Sequence, residues 1–145
     1  MSATAVASRR KQVMSSEFVR ATEEERRAVV TAVDSIPRAV LRPGADTAIM
    51  PAGNMTLSFL RLSPGLDARL HSHPEEQVVV VLEGEMDVAL DGKLYRVRAG
   101  DIAVIPGGVP HSGVTLSEGC RVLDIFSPAR KDFEEKLQQA IAAQK

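Results

Sequence analysis

The 145-residue chain has little histidine and little aromatic character. It contains one cysteine, one tyrosine, no tryptophan and three histidines. A single cysteine excludes an intramolecular disulfide and any zinc site built on several thiolates. Cys120 stands in the apolar run CRVLDIF and reads as a small buried hydrophobe rather than a reactive thiol. Charge of one sign is also lacking, with a formal net charge of −1. That excludes nucleic-acid binding by bulk electrostatics and a polybasic membrane patch. No run approaches the ~20 apolar residues of a membrane span. Ser8-Arg9-Arg10-Lys11 resembles part of a twin-arginine signal, but no apolar stretch follows it, so a cytoplasmic protein is expected.

What is present suggests one domain with a real core. Hydrophobic residues make up 44% of the chain, as in ordinary globular proteins. Residues 1–15 read as a mobile polar arm and residues 16–145 as a single domain. A helix is expected from about Thr22 to Val33, with Thr22 and Glu25 at capping-box spacing and Val29, Val30 and Val33 as its apolar stripe. From about residue 47 to 126 short β-like runs alternate with Gly, Pro and Asp-Gly. Asp91-Gly92 marks a two-residue hairpin between EMDVAL and KLYRVR. Many short strands predict an all-β sandwich or barrel. A C-terminal helix over 128–143 follows, with Ser127 as its cap, Pro128 at its first position, and Phe133, Leu137, Ala140 and Ile141 as its stripe.

Two of the three histidines fall in HSHPEEQ, residues 71–77. His71 and His73 lie at i and i+2 of an extended segment and so point the same way. Gln77 follows at an even offset, and His111 follows a Pro-Gly-Gly turn after the strand IAVI. A rolled barrel could gather all four, and imidazole nitrogens with an amide oxygen suit a divalent metal. Glu75 and Glu76 read as a solvated turn.

The spacing Gly65-x5-His71-x-His73-x3-Gln77-x6-Gly84 resembles the first cupin motif, with Gln where Glu is usual. Gly100-x5-Pro106-x-Gly108-x2-His111 resembles the second, with Thr115 where Asn is usual. The resemblance covers roughly residues 45–133, with motifs at 65–84 and 100–111. It implies a small single-domain cupin: an antiparallel β-barrel of jelly-roll type with an N-terminal and a C-terminal helix, often a homodimer. It also implies one divalent metal held by His71, His73, Gln77 and His111. Zinc is the first expectation, and iron, nickel and manganese are the others. Three imidazoles and an amide are all neutral, so the ion would keep its full charge and act as a Lewis acid.

The ending Asp124-x-Phe126-x-Pro128-x-Arg130 is similar to that of small cupins that open 4,5-unsaturated uronates. That resemblance implies pocket roles for these side chains, with Asp124 as acid/base and Arg130 holding a carboxylate or enolate oxygen. Asp124 and Phe126 share a strand face by parity. Val79 and Val81 share the face of Gln77. Met50, Leu57, Phe59, Val104 and Ile125 are the other candidate wall residues, which makes the expected pocket apolar and poor in the aromatic platforms that sugars favour. Tyr95 falls in an outer hairpin. A larger apolar, carbonyl-bearing small-molecule substrate fits such a pocket, so the chain resembles the cupin-type polyketide cyclases. Opening of unsaturated uronates, an iron-dependent dioxygenase and a non-catalytic ligand-binding barrel are the alternatives.

Overall fold

A computed structural model of the chain describes residues 15–144. The expected arm at 1–15 falls almost wholly outside them. Packing divides the chain into two units, Met1–Thr31 and Ala32–Lys145.

In the first unit, α1 spans Glu23–Val29. Thr22 Oγ1 accepts from the Glu25 amide at 3.2 Å, and Glu25 Oε2 accepts from the Thr22 amide at 2.7 Å. This is the expected capping box, with three glutamates in the favourable first turn. The helix is shorter than its apolar pattern suggests. None of its residues is buried, and Val29 is 82% exposed. Exposed valines add no burial that would extend the helix, and the chain turns extended at Val30.

The second unit is an antiparallel two-sheet barrel of jelly-roll type. Its strands are β1 (Ala39–Arg42), β2 (Ala45–Pro51), β3 (Thr56–Leu62), β4 (Glu76–Glu83), β5 (Glu85–Leu90), β6 (Lys93–Arg98), β7 (Ile102–Ile105), β8 (His111–Thr115) and β9 (Cys120–Ser127). One sheet has the order β1-β2-β3-β9-β4-β7 and the other β6-β5-β8. The β5–β6 hairpin turns on Asp91-Gly92, both at positive φ, as a two-residue loop between twisted strands requires. Tyr95 lies exposed on that hairpin. The core between the sheets includes Leu60, Val79, Val81, Met86, Val88, Ile105 and Val122. Cys120 is buried there, and burial, with a smaller push from Asp124, raises its thiol to about 11. It is inert packing, as its sequence context implies.

The C-terminal helix, α2, spans Lys131–Ala142. It begins three residues later than its punctuation suggests. Ser127 stays in β9 paired with Glu76, so it cannot serve as the cap, and Arg130 takes the cap position without a side-chain bond. The apolar stripe is as expected: Phe133 and Leu137 are buried against Ile49, Ala39 and Phe126, with Ala140 and Ile141 packed beside them. This closes one end of the barrel. Among the described residues, no helix is long and apolar enough to cross a membrane.

Candidate metal centre and cavity

The four expected ligands come from three places in the fold. Gln77 is the second residue of β4 and His111 the first of β8. His71 and His73 lie in the connection between β3 and β4. A backbone bridge ties His71 to His111, with amide–carbonyl distances of 3.0 and 2.9 Å in the two directions. The turn after His73 is held by the second motif: the Gly108 amide donates to the His73 carbonyl at 2.7 Å. Gly107 passes so close that a Cβ there would stand 2.2 Å from the Pro74 carbonyl oxygen. The Pro-Gly-Gly segment therefore needs a residue without a side chain at 107.

The ring orientations follow from backbone carbonyls two residues away. His71 Nδ1 lies 3.0 Å from the Arg69 oxygen, His73 Nδ1 3.0 Å from the Glu75 oxygen and His111 Nδ1 2.8 Å from the Val109 oxygen. A carbonyl can only accept, so each Nδ1 carries the proton and each Nε2 presents a lone pair. His73 Nε2 and His111 Nε2 stand 3.2 Å apart, and Gln77 Oε1 lies 3.1 and 3.0 Å from them. One ligand atom from each of the three histidines falls within a 4.8 Å cluster. Lone pairs aimed at one another at this range repel unless a cation lies among them. The donor set thus fits a divalent metal, and the cluster could hold one. Burial, aided by the neighbouring imidazoles and Arg130, holds His111 below its ordinary value despite the Val109 bond, which favours the neutral form that metal ligation requires.

Glu75 is not the freely solvated turn residue its sequence suggests. Its Oε2 is buried, has no hydrogen-bond partner, and lies 3.4 Å from His73 Nδ1. Gly107 passes beside its backbone, where a Cβ would stand 3.5 Å from the Glu75 carbonyl carbon. Glu76 is exposed.

Beside the histidines lies a cavity of about 300 Å³. Its wall brings together His71, Gln77, His111, Asp124, Phe126 and Arg130. His73 packs edge-on against Phe126 with ring centroids 5.4 Å apart. Asp124 and Phe126 share the inner face of β9, while Ile125 takes the outer one. Asp124 is 7% exposed and its Oδ1 is buried without a partner. Burial pushes its carboxyl up to about 7, against the opposing pull of the Gln77 side chain and the Arg130 charge. The Arg130 guanidinium lies 4.0 Å over the Phe133 ring and 4.8 Å from the Phe126 centroid. Its Nε and Nη2 donate to the two Asp132 oxygens at 3.1 and 2.6 Å, and its backbone amide donates to Thr56 Oγ1 at 2.9 Å.

Of the expected wall residues, Val79 and Phe126 line the cavity. Val81 faces inward but is packed shut in the core. Met50, Leu57, Phe59 and Val104 do not line it, and this corrects the sequence expectation. On β3 the buried positions are Thr56, Ser58 and Leu60, so Leu57 and Phe59 fall on the outer face. Met50 pairs with Leu57 on that same face. Val104 pairs with Val78 and is 57% exposed. The outer face is itself apolar, so alternation alone could not say which face is inside. The real aliphatic wall includes Leu41, Leu60, Leu62, Leu66, Met86 and Val88. Sequence reasoning also missed the buried pair Thr47–Ser58, whose hydroxyl oxygens are 2.6 Å apart. Ser58 is the register partner of Asp124. Missed too were Arg42, Arg69, Asp132, Phe133 and Lys136, all on the cavity wall.

Comparison with known proteins agrees with this architecture. The family described as "Cupin domain" matches residues 58–126. The pectin degradation protein KdgF of Dickeya dadantii is 33% identical over 64 residues, 43% of this chain and 58% of that protein. The transcriptional regulator PuuR of Escherichia coli is 37% identical over 80 residues, 54% of this chain and 43% of the regulator. The chain therefore spans only about half the length of these two curated relatives. Among solved structures, an RmlC-like cupin from Shewanella frigidimarina superposes with a TM-score of 0.67 at 27% identity, covering 72% of this chain and 95% of that one. The polyketide cyclase RemF from Streptomyces resistomycificus superposes with a TM-score of 0.60 at 27% identity, covering 68% and 78%. Relatives of the fold thus include enzymes and a regulator.

Proposed function

Because residues 58–126 form a cupin domain, we propose that this chain is a metal-dependent enzyme that works on a carbonyl and its enolate, closing a ring by aldol chemistry as a polyketide cyclase would. The observation that carries the reading is Asp124. It is a carboxyl titrating at about 7, buried beside a metal-ligand set, on the wall of a largely aliphatic cavity. Such a group can take and return a proton near neutral pH.

His71, His73, Gln77 and His111 would hold one divalent ion, zinc in this reading. When bound, the ion supplies Lewis-acid polarisation of a substrate oxygen. The chain's own residues do the rest. The Asp124 carboxylate accepts the proton from a carbon next to a carbonyl. The electron pair of that C–H bond becomes the enolate, whose carbon attacks a second carbonyl. The resulting alkoxide takes the proton back from Asp124. Arg130, held by Asp132 and the two phenyl rings, stabilises negative charge on a substrate oxygen. The aliphatic wall holds the substrate folded and excludes water, so the ring-forming step becomes effectively unimolecular.

A second reading is the opening of 4,5-unsaturated uronates. It is favoured by Asp124, Phe126 and Arg130 meeting on one cavity wall and by the similarity to a pectin degradation protein. The deciding experiment is a paired assay of zinc-loaded protein and Asp124→Asn. Cyclisation of a poly-β-ketone gives a new aromatic chromophore, and uronate opening removes the ultraviolet band of the unsaturated sugar. Turnover of neither substrate, with about one iron per chain and oxygen uptake, would move a dioxygenase to the front. Tight ligand retention with no turnover would favour a binding barrel. A homodimer also belongs to this proposal. The outer face of the six-stranded sheet carries Val40, Ile102 and Val104, each more than half exposed, and a second copy would cover it.

A further inference from the structure

The structure assigns the cavity an anion-binding end at Arg42 and Arg69, and with it a substrate class: a small organic acid, apolar in its body and carboxylate at one end. This deepens the proposed function and rests on its reading of the cavity as the substrate site.

The first observation is which arginines lack partners. Residues 32–144 contain eight arginines. Arg38, Arg61, Arg96, Arg98, Arg121 and Arg130 each have a carboxylate within 4.0 Å. Among the described residues Arg42 and Arg69 have none, and both line the cavity. Lys136 of α2 lines it too, likewise without a carboxylate partner. Facing these three are two carboxyls. Asp132 is already engaged by Arg130, and even with Asp124 counted as charged, the four cations Arg42, Arg69, Arg130 and Lys136 line the cavity against two carboxyls. The neutral ligand set adds no negative charge. The cavity therefore carries uncompensated positive charge.

The second observation is where that charge sits. Arg42 ends β1, and its Nη1 donates to the Asp67 carbonyl at 3.0 Å. This fixes its guanidinium beside the segment that carries Arg69 while leaving its other N–H groups free. Arg69 is anchored at its backbone. Its amide donates to Ser112 Oγ at 2.7 Å, and its carbonyl accepts from His71 Nδ1 at 3.0 Å. The residue that offers the free cation is thus the one that orients a metal ligand. Arg42, Arg69, His71 and His111 line one cavity, so a substrate anchored there shares it with the histidines. Leu41, Leu60, Leu62 and Leu66 supply aliphatic wall. A cavity of about 300 Å³ is at the small end of ligand pockets, which limits the body of the acid. Guanidinium forks match a carboxylate in plane and pair with it more strongly than with a neutral amide.

The test needs neither metal nor turnover, so its failure leaves the proposed chemistry standing, and absence of turnover leaves it intact. Metal-free full-length protein is titrated by calorimetry with hexanoate and with hexanamide, the same shape without charge. Hexanoate is expected to bind about tenfold tighter or better, a preference that weakens with added salt. Arg42→Gln with Arg69→Gln should erase the preference, and each single substitution should reduce it. Arg61→Gln, whose parent residue is paired on the outer face, should leave it unchanged. Circular dichroism checks that each variant is folded, and the single variants decide if the double variant is not. Equal binding of acid and amide, no binding of hexanoate at millimolar concentration, or an undiminished preference in the folded variants would each overturn the assignment.

Discussion

Replacing Asp124 by Asn tests the central group of the cavity through stability alone. In the unfolded chain the carboxyl returns to its ordinary value of 3.8, and in the fold burial raises it to about 7. Between these values the folded protein holds a proton that the unfolded chain has released. Stability must therefore fall as pH rises through this window, and the loss is complete above about pH 7. At about 1.4 kcal/mol per pH unit, the displacement amounts to about 4 kcal/mol, a large fraction of a stability of about 5–15 kcal/mol. Asn cannot ionise, so the variant escapes this loss. Urea unfolding of metal-free protein at about pH 5 and about pH 8 reads the effect. At the lower pH about 1.6 kcal/mol of this loss has already occurred, so between the two pH values the variant should gain about 3 kcal/mol on the parent. The depressed value of His111 works in the opposite direction, removing stability as pH falls, but it is common to both proteins and cancels in the comparison. If the two proteins changed in parallel between the two pH values, Asp124 would not hold a proton near neutrality and its role as acid/base would be lost.

Four further outcomes are expected. His111→Ala should lose metal retention by elemental analysis, because its Nε2 lies within 3.2 Å of two other ligand atoms; unchanged metal content would refute the ligand set. Gly107→Ala must push the loop off the Pro74 carbonyl, a backbone clash at 2.2 Å, and should weaken zinc affinity by about 10–100-fold in a chelator competition, as disturbed ligand support does. Phe133→Ala should cost about 3–5 kcal/mol in urea unfolding, since it empties the helix–barrel contact. Val104→Glu should leave the fold intact and halve the mass seen by light scattering if the outer face of β7 joins two copies; an unchanged mass would move the interface elsewhere.

The fold was legible because turns and strand lengths are local. Asp91-Gly92 sets a hairpin on its own, and Thr22 with Glu25 sets a helix start on its own. The convergence of the candidate ligands was legible for a related reason. His71 and His73 are fixed by period two, and the Pro-Gly-Gly turn before His111 is needed by the loop that clasps Pro74. The cavity wall was not legible, because it depends on which face of each strand points inward. Strand β3 reads TLSFLRL, and its larger apolar residues Leu57 and Phe59 face outward while Thr56 and Ser58 face in. Hydrophobicity normally identifies the inner face, but here the polar face is buried to surround Asp124 and Arg130. The sequence rule failed where the site draws polar groups into the barrel. Arg42 and Arg69 escaped notice for another reason. A lone arginine in a sequence says nothing about whether a carboxylate will reach it.

The departure from the usual acidic ligand at Gln77 and the burial of Asp124 bear on the same question. A neutral donor set leaves the charge of a bound cation uncancelled by its ligands. The nearby carboxylates stand outside that set, Glu75 against His73 and Asp124 against Gln77. A cation of undiminished charge favours electron density building on a substrate oxygen, as in an enolate, and disfavours raising its own oxidation state. A carboxyl poised near neutrality and set back from the ligands can move a proton without being consumed as a ligand. Converting Gln77 to Glu would transfer negative charge onto the ion itself. The expected result is tighter metal binding with slower proton abstraction, because ion affinity and Lewis acidity respond oppositely to that charge.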